Sequence, residues 1–170
     1  MSTAFLFPGQ GSQHVGMGED LLEAFPEVRP LFDRADELLD EPITPIMFGE
    51  GLESEAAEKR LQQTQYTQPA LYLHSMAAHE VLSSADGAAA MTAGHSLGEY
   101  SALAAAGALS FEDGLRAVAE RGAAMAEAGS DRSGTMAALL GMDDADAEAL
   151  CEEVAGPDRI VQAANYNAPG

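Results

Sequence analysis

A chain of 170 residues with 8 Lys plus Arg against 28 Asp plus Glu carries a formal net charge of -20 and is one domain's worth of sequence. With 46% hydrophobic and only 21% charged residues, its acidity comes from a shortage of basic groups, so a sizeable core is available and disorder throughout is excluded. Lys59 is the only lysine and no basic stripe runs along any segment, which excludes nucleic-acid binding; the longest uncharged stretch, Leu61 to His79, is broken by four glutamines and two histidines, which excludes a membrane span.

The first basic residue is Arg29, too late for the charged start of a secretory signal, and Thr3 to Phe7 is too short for its apolar region, so export is not expected. Cys151 is alone, which excludes an internal disulfide and any multi-cysteine metal site and fits a reducing cytoplasm. The carboxylate excess has two readings: a solvation device for a salt-rich cytoplasm, where self-repulsion is screened, and an ordinary acidic protein.

Thr3 to Phe7 is a short apolar run that stops at Pro8 and the glycines of Gly9-Gln10-Gly11, and it reads as a buried strand followed by a tight loop. Helical patterns follow at Val28 to Leu39, Glu53 to Gln62 and Gln68 to Ser84, the last with Thr67 as its cap and Pro69 in its first turn. Ala88 to Ala93 is a second apolar run without helical length, and it passes through Gly94 into Leu97 to Ala106, which has helical composition. Strand, sharp turn and helix therefore meet at Ser96. The next helix opens on Ser110-Phe-Glu-Asp113, a capping-box-like start, and carries Leu115, Val118, Ala119, Gly122, Met125 and Ala126 on one stripe, with Arg121 at its edge and Arg116 well away from it. After a loop at Gly129 to Ser133, Thr135 to Leu140 reads as a strand, Asp143 to Ala155 as a helix capped by Asp143, and Ile160 to Ala164 as a second strand, together a βαβ unit.

Gly94-His95-Ser96-Leu97-Gly98 matches the nucleophile elbow, in which glycines flank a serine whose strained turn projects its hydroxyl clear of the sheet and the next amide, at Leu97, faces a developing oxyanion. The other reading is a tight turn that needs glycines for steric reasons, with Ser96 capping the helix. Pro8 to Gln13 is either a plain turn or a loop supplying a second oxyanion amide, because loops after parallel strands open at one end of a sheet. Arg121 is either a snorkelling surface arginine or a fork that binds a carboxylate by two parallel hydrogen bonds. Of His14, His74, His79 and His95, none is a convincing base: His95 adjoins Ser96, but neighbouring side chains at such a turn diverge, His74 and His79 lie mid-helix, and no histidine follows Ser96, where the α/β-hydrolase order puts it.

Phe5-Leu-Phe-Pro-Gly-Gln-Gly-Ser-Gln13, Thr67-Gln-Pro-Ala-Leu71, Gly94-His-Ser-Leu-Gly-Glu-Tyr-Ser-Ala-Leu103, Ser110-Phe-Glu-Asp113, Arg121-Gly122 and Asn165-Tyr-Asn-Ala-Pro-Gly170 together resemble malonyl-CoA:acyl carrier protein transacylases, end to end and in family order. The acyltransferase domains of polyketide and fatty acid synthases share the pattern; a motif that begins at the initiator Met favours a freestanding enzyme. The resemblance implies an α/β fold: a hydrolase-like parallel sheet with flanking helices over residues 1–130, the N-terminal part of a larger domain, and the start of an inserted ferredoxin-like α+β subdomain over 131–170. It implies that Ser96 attacks the malonyl thioester of coenzyme A and passes the acyl group to the phosphopantetheine thiol of acyl carrier protein, in fatty acid or polyketide synthesis. On the same analogy the amides of Gln10 and Leu97 form the oxyanion hole, Arg121 grips the malonyl carboxylate, Gln68 lies beside it, and His95, Asn165 and Asn167 support the site. Coenzyme A thioester is then the substrate, with no bound cofactor and no metal.

Members of that family run to nearly twice this length, with their catalytic histidine in a motif beyond the position of Gly170, so this chain is expected to have a greatly weakened Ser96. Acyl carrier proteins are themselves acidic, so a partner of charge -20 is expected to repel them at low salt. Two further readings stay beside the transacylase: a serine esterase on a similar elbow, and a noncatalytic remnant that holds acyl-CoA or carrier protein without turnover.

Overall fold

The apolar run near the N-terminus forms strand β1 (Ala4–Phe7), which pairs in parallel with β2 (Met91–Gly94) in a register running from Ala4 opposite Met91 to Phe7 opposite Gly94. The computed structural model describes residues 3–87, 89–131 and 134–168 and divides into two compact units, Met1–Arg132 and Ser133–Gly170. Ala88, the expected first residue of the second strand, lies outside the described residues. A parallel pair needs a long crossover. Here it carries α1 (Glu19–Ala24), a 3-10 turn (Pro26–Val28), α2 (Arg29–Leu38), α3 (Thr44–Phe48), α4 (Ser54–Leu61) and α5 (Thr64–Asp86). After β2 come α6 (Gly98–Ala105) and α7 (Phe111–Asp131). The result is a mixed α/β unit with a small parallel sheet and many helices.

Helix α5 forms the centre of this unit. Ala70, Leu71, Tyr72, Leu73 and Ala77 are buried on it, against Phe32 and Ala35 of α2, Met47 of α3, Leu61 of α4, and Leu115 and Val118 of α7. Tyr72 lies over Gly114, where any side chain would collide with the phenol, and its hydroxyl donates to the Phe111 carbonyl at 3.1 Å. Burial, reinforced by Glu112 and then Asp113, raises the Tyr72 hydroxyl well above its ordinary range. The α7 stripe buries Leu115, Val118 and Gly122 as its spacing predicts, while Met125 is 44% exposed.

Several elements differ from their sequence expectation. Helix α5 begins at Thr64, one turn before the expected start, so Thr67 is not its cap: the buried Thr67 hydroxyl donates to Leu61 O at 2.6 Å, with Gln63 O at 3.2 Å. Pro69 then lies inside the helix; burial on all sides of α5 outweighs the hydrogen bond its missing N–H removes. Helix α7 runs through the expected loop at Gly129 as far as Asp131, with Ser130 Oγ bonding back to Glu127 O at 2.7 Å. The short helices α1 and α3 have too few residues for a clear period and are not read from the sequence. Strand β1 is covered on one face only: Leu6 is 78% and Met91 65% exposed, on the same side as Ala4 and Ala93.

In the second unit, α8 (Asp144–Val154) forms with Asp143 at its N-cap, though the Asp143 side chain makes no capping bond. No strand forms at Thr135 to Leu140 or Ile160 to Ala164, and the pairing there is a single antiparallel bridge between Gly156 and Arg159. Strand residues need a neighbour for their backbone groups and a covered face, and Met136, Leu140 and Ile160 are 74%, 89% and 71% exposed. Tyr166 donates to Glu148, and that bond holds its hydroxyl above the usual range.

Two histidines make the first unit sensitive to acid. His74 is half-buried on α5 near Gly18, and burial lowers its pKa, opposed by Asp20 and reinforced by His14. Burial also lowers His79, against Glu80; its ring meets Phe5 and Phe7 edge-on at 5.5 and 6.1 Å, and its Nδ1 lies 3.1 Å from Ser83 Oγ. Both rings bind protons less readily folded than unfolded. Their contribution is therefore complete above the unfolded value of about 6.5 and falls away below it, as pH drops toward the lowered folded values. The melting temperature is expected to fall from pH 7 to pH 5, and to fall less in a His74→Gln, His79→Gln double variant. An equal drop in both proteins overturns this assignment.

Candidate active site

Strand β2 ends at Gly94, and His95 extends its ladder by one bond, its N–H donating to Phe7 O at 3.2 Å. The chain then reverses at Ser96, whose φ of 55° is the only positive value at a non-glycine among the described residues. Such a conformation at a residue with a Cβ costs roughly 1–2 kcal/mol and is held only by its surroundings. Gly98 N donates to His95 O at 2.9 Å and Glu99 N to Ser96 O at 3.1 Å, which starts α6 directly beneath the serine. The flanking glycines are required by space: a Cβ on Gly94 would fall on the Gly98 carbonyl, and one on Gly98 would lie 2.7 Å from Pro8 O and closer still to Phe7 O. That crowding fits either reading of the motif; what speaks against a capped turn is that Ser96 makes no side-chain cap to α6 and its hydroxyl meets Arg121 instead.

Because β1 and β2 are parallel, the loop after Phe7 opens at the same end as the elbow. The loop lies against it: a side chain on Gly9 would come within 2.7 Å of His95 Nδ1. Leu97 is 1% exposed as a whole residue, whereas Gln10 is exposed. Neither the Leu97 amide nor that of Gln10 donates to a protein acceptor among the described residues.

Helix α7 brings Arg121 to this point. The Ser110–Asp113 start is observed, with Asp113 N donating to Ser110 Oγ at 3.0 Å and Ser110 Oγ donating to Asp113 Oδ2 at 2.8 Å. At Gly122 the helix approaches α5 so closely that a Cβ would sit 2.9 Å from Thr64 O. Arg121, half-buried, then donates from Nη2 to Ser96 Oγ at 2.8 Å and from Nη1 to Gln68 Oε1 at 2.6 Å. Gln68, fully buried on α5, donates onward to Thr64 Oγ1 at 3.0 Å and Met125 Sδ at 3.2 Å, and Thr64 Oγ1 donates to Gln10 Oε1 at 3.1 Å. Arg34, Lys59, Arg60 and Arg116 each form a salt bridge with a carboxylate. The hydrogen bonds of Arg121 go instead to neutral groups, which leaves a half-buried cation suited to an incoming anion.

The structure thus joins Ser96, Arg121, Gln68 and Gln10 in one hydrogen-bonded chain, with Leu97 following the serine. His95 is exposed, its ring beside Gly9. His14, His74 and His79 make no hydrogen bond to Ser96 among the described residues. Asn165 and Asn167 lie on an exposed irregular segment of the second unit. Thr64 and Met125 are site residues that the sequence reading did not single out; the i, i+4 spacing of Thr64 and Gln68 on a helix is the signal for the first. Among the described residues no cluster of His, Cys, Asp and Glu could hold a metal ion, and no helix is long and apolar enough to cross a membrane.

Over 167 residues the chain is 47% identical to the malonyl CoA-acyl carrier protein transacylase of Bacillus subtilis (strain 168), covering 98% of this chain and 51% of the relative. The structure of the malonyl CoA-acyl carrier protein transacylase from Coxiella burnetii superposes with a TM-score of 0.83 at 38% identity, covering 99% of this chain and 52% of that one. A malonyl-transacylase in complex with its type II PKS acyl-carrier protein superposes with a TM-score of 0.81 at 37% identity, covering 100% and 53%. The chain spans about half the length of the relatives it matches. Residues 4–169, from the first strand through the elbow to the last irregular segment, match the acyl transferase domain as a family, and the chain belongs to it.

Proposed function

We propose that the protein transfers a malonyl group from malonyl-CoA to the phosphopantetheine thiol of acyl carrier protein, in fatty acid or polyketide synthesis. The observation that carries this reading is Arg121, a cation with neutral partners that touches the candidate nucleophile. Ser96 Oγ attacks the thioester carbonyl; the C–O bond forms, the C–S bond breaks, and coenzyme A leaves as the thiol, taking up the serine's proton through a base. The carrier thiol then attacks the acyl-enzyme, the C–S bond forms, the C–O bond breaks, and the proton returns to Oγ. Gln10 and Leu97 amides receive the oxyanion in both halves. Arg121 turns from Ser96 Oγ to the malonyl carboxylate, with Gln68 holding its other nitrogen, and a neutral acyl group has no use for that cation. The base is a histidine of the relatives' remaining length, and Asn165 and Asn167 support the site. The substrate is the coenzyme A thioester, and no bound cofactor takes part.

On this reading residues 1–130 belong to a hydrolase-like larger domain, whose further elements cover the apolar face of Ala4, Leu6, Met91 and Ala93. Residues 131–170 are the first half of a ferredoxin-like subdomain, and Thr135 to Leu140 and Ile160 to Ala164 become strands when its remaining strands pair with them. The test is the intact mass of protein expressed from the whole gene after exposure to malonyl-CoA. One malonyl group, carried on Ser96 and discharged by holo acyl carrier protein, is expected. Binding of coenzyme A thioester without acylation, or hydrolysis of neutral esters without transfer, overturns it.

A further inference from the structure

The hydrogen bonds around Gln68 run in one direction. Arg121 can only donate, so the Gln68 atom that meets its Nη1 is Oε1, and the amide's orientation is fixed. Nε2 is thereby turned to Thr64 Oγ1 and to Met125 Sδ. Having accepted from Nε2, the Thr64 hydroxyl has its own proton for Gln10 Oε1, on a loop 54 residues away in the chain. Thr64 is the first residue of α5, half-buried, and the close approach of α7 at Gly122 sets this helix end under Arg121.

We propose that Thr64 is a positioning residue that ties the arginine gripping the acyl carboxylate to the loop whose Gln10 amide receives the oxyanion. The inference rests on the transacylase reading above and adds to it a residue that touches neither substrate nor nucleophile. Gln68 is fully buried, with only the weak Met125 sulfur as an alternative acceptor. Without the Thr64 hydroxyl its amide seeks another partner, Arg121 loses a fixed Oε1, and the Gln10 side chain loses its donor. One hydroxyl therefore holds two catalytic features in register.

The test compares Thr64→Val, which keeps the shape and removes the hydroxyl, with Thr64→Ser, which restores it, in protein expressed from the whole gene. For Thr64→Val, malonyl transfer is expected to drop about ten- to a hundred-fold in kcat/KM, chiefly in kcat, with a smaller malonyl-to-acetyl preference; Thr64→Ser is expected within about three-fold of the parent. The side-chain amide resonances of both Gln68 and Gln10 should shift in the valine variant and return in the serine variant. Parent kinetics in Thr64→Val, a loss that serine does not restore, or a resonance shift confined to Gln68 overturns the inference. A parent protein that transfers no malonyl overturns the transacylase reading instead, and the amide resonances then decide the role of Thr64.

Discussion

Ser96→Ala is expected to stop the proposed acyl transfer, with turnover reduced by about four to six orders of magnitude and no acyl-enzyme detectable after exposure to malonyl-CoA. The size of the effect follows from the role proposed for the hydroxyl: it is the group to which the acyl group would be joined, and no neighbouring group could take its place. The fold is expected to survive, because alanine keeps the Cβ and so keeps the strain at φ 55°, while the steric fit of Gly94, Gly98, Phe7 and Pro8 that imposes this conformation is untouched. Arg121 Nη2 loses an acceptor in the variant, but the site is half-exposed and water can replace it. The decisive pairing is therefore a melting temperature close to the parent's with no transfer. Residual carrier-dependent transfer above about 1% of the parent rules out Ser96 as the nucleophile.

The elbow was legible because its requirements are written in single residues. Two glycines four apart around a serine, after an apolar run and before a helical one, leave little room for another local structure, and the positive φ falls where the motif puts it. The parallel pairing that opens the Gln10 loop beside the elbow followed from the same pattern. Arg121 was ambiguous from its position at a stripe's edge, since the helical wheel says which face it borders and not which neighbour it meets. What decides its role is the packing of α7 on α5 at Gly122, a contact between segments nearly sixty residues apart. Thr64 and Met125 are hidden for the same reason: by sequence Thr64 falls between two expected helices and Met125 belongs to the α7 stripe, and only that contact brings both to Gln68.

The misread elements also have a common cause. Local rules start α5 at Gln68, with Thr67 as its cap and Pro69 in its first turn, and begin a loop at Gly129, whereas burial of α5 tolerates an interior proline and α7 continues past its glycine at a cost of only about 1 kcal/mol. The short apolar runs at 135–140 and 160–164 hold few β-branched residues and need neighbouring strands to pair, so the structure leaves those segments irregular. Composition carries the charge of -20 plainly, and the structure adds that Arg34, Lys59, Arg60 and Arg116 are held by acids while Arg121 meets neutral partners.

On the proposed function, Arg121→Ala is expected to change which acyl group is transferred. Malonyl kcat/KM is expected to fall about 10²- to 10³-fold, while acetyl transfer stays within about ten-fold of the parent, so the preference for the dicarboxylic group collapses. The argument is one of charge in a half-buried place. Malonyl brings a carboxylate that must lose part of its water, and the guanidinium fork, already oriented by Gln68 at 2.6 Å, replaces those hydrogen bonds at little cost in ordering. Acetyl brings no charge and leaves the arginine where it stands on Ser96 Oγ at 2.8 Å, an occupied rather than a productive arrangement. Removing the fork strands the malonyl carboxylate, and it gives acetyl a site without a competing donor on the nucleophile. Arg121→Lys separates the two contributions, because it keeps the positive charge but cannot reach Gln68 and the carboxylate with a planar pair of donors; its malonyl rate should lie between those of the parent and the alanine variant. Competition between malonyl-CoA and acetyl-CoA measures the ratio directly. A ratio unchanged in Arg121→Ala means the carboxylate is read elsewhere and Arg121 serves only to hold Ser96 and Gln68 in place.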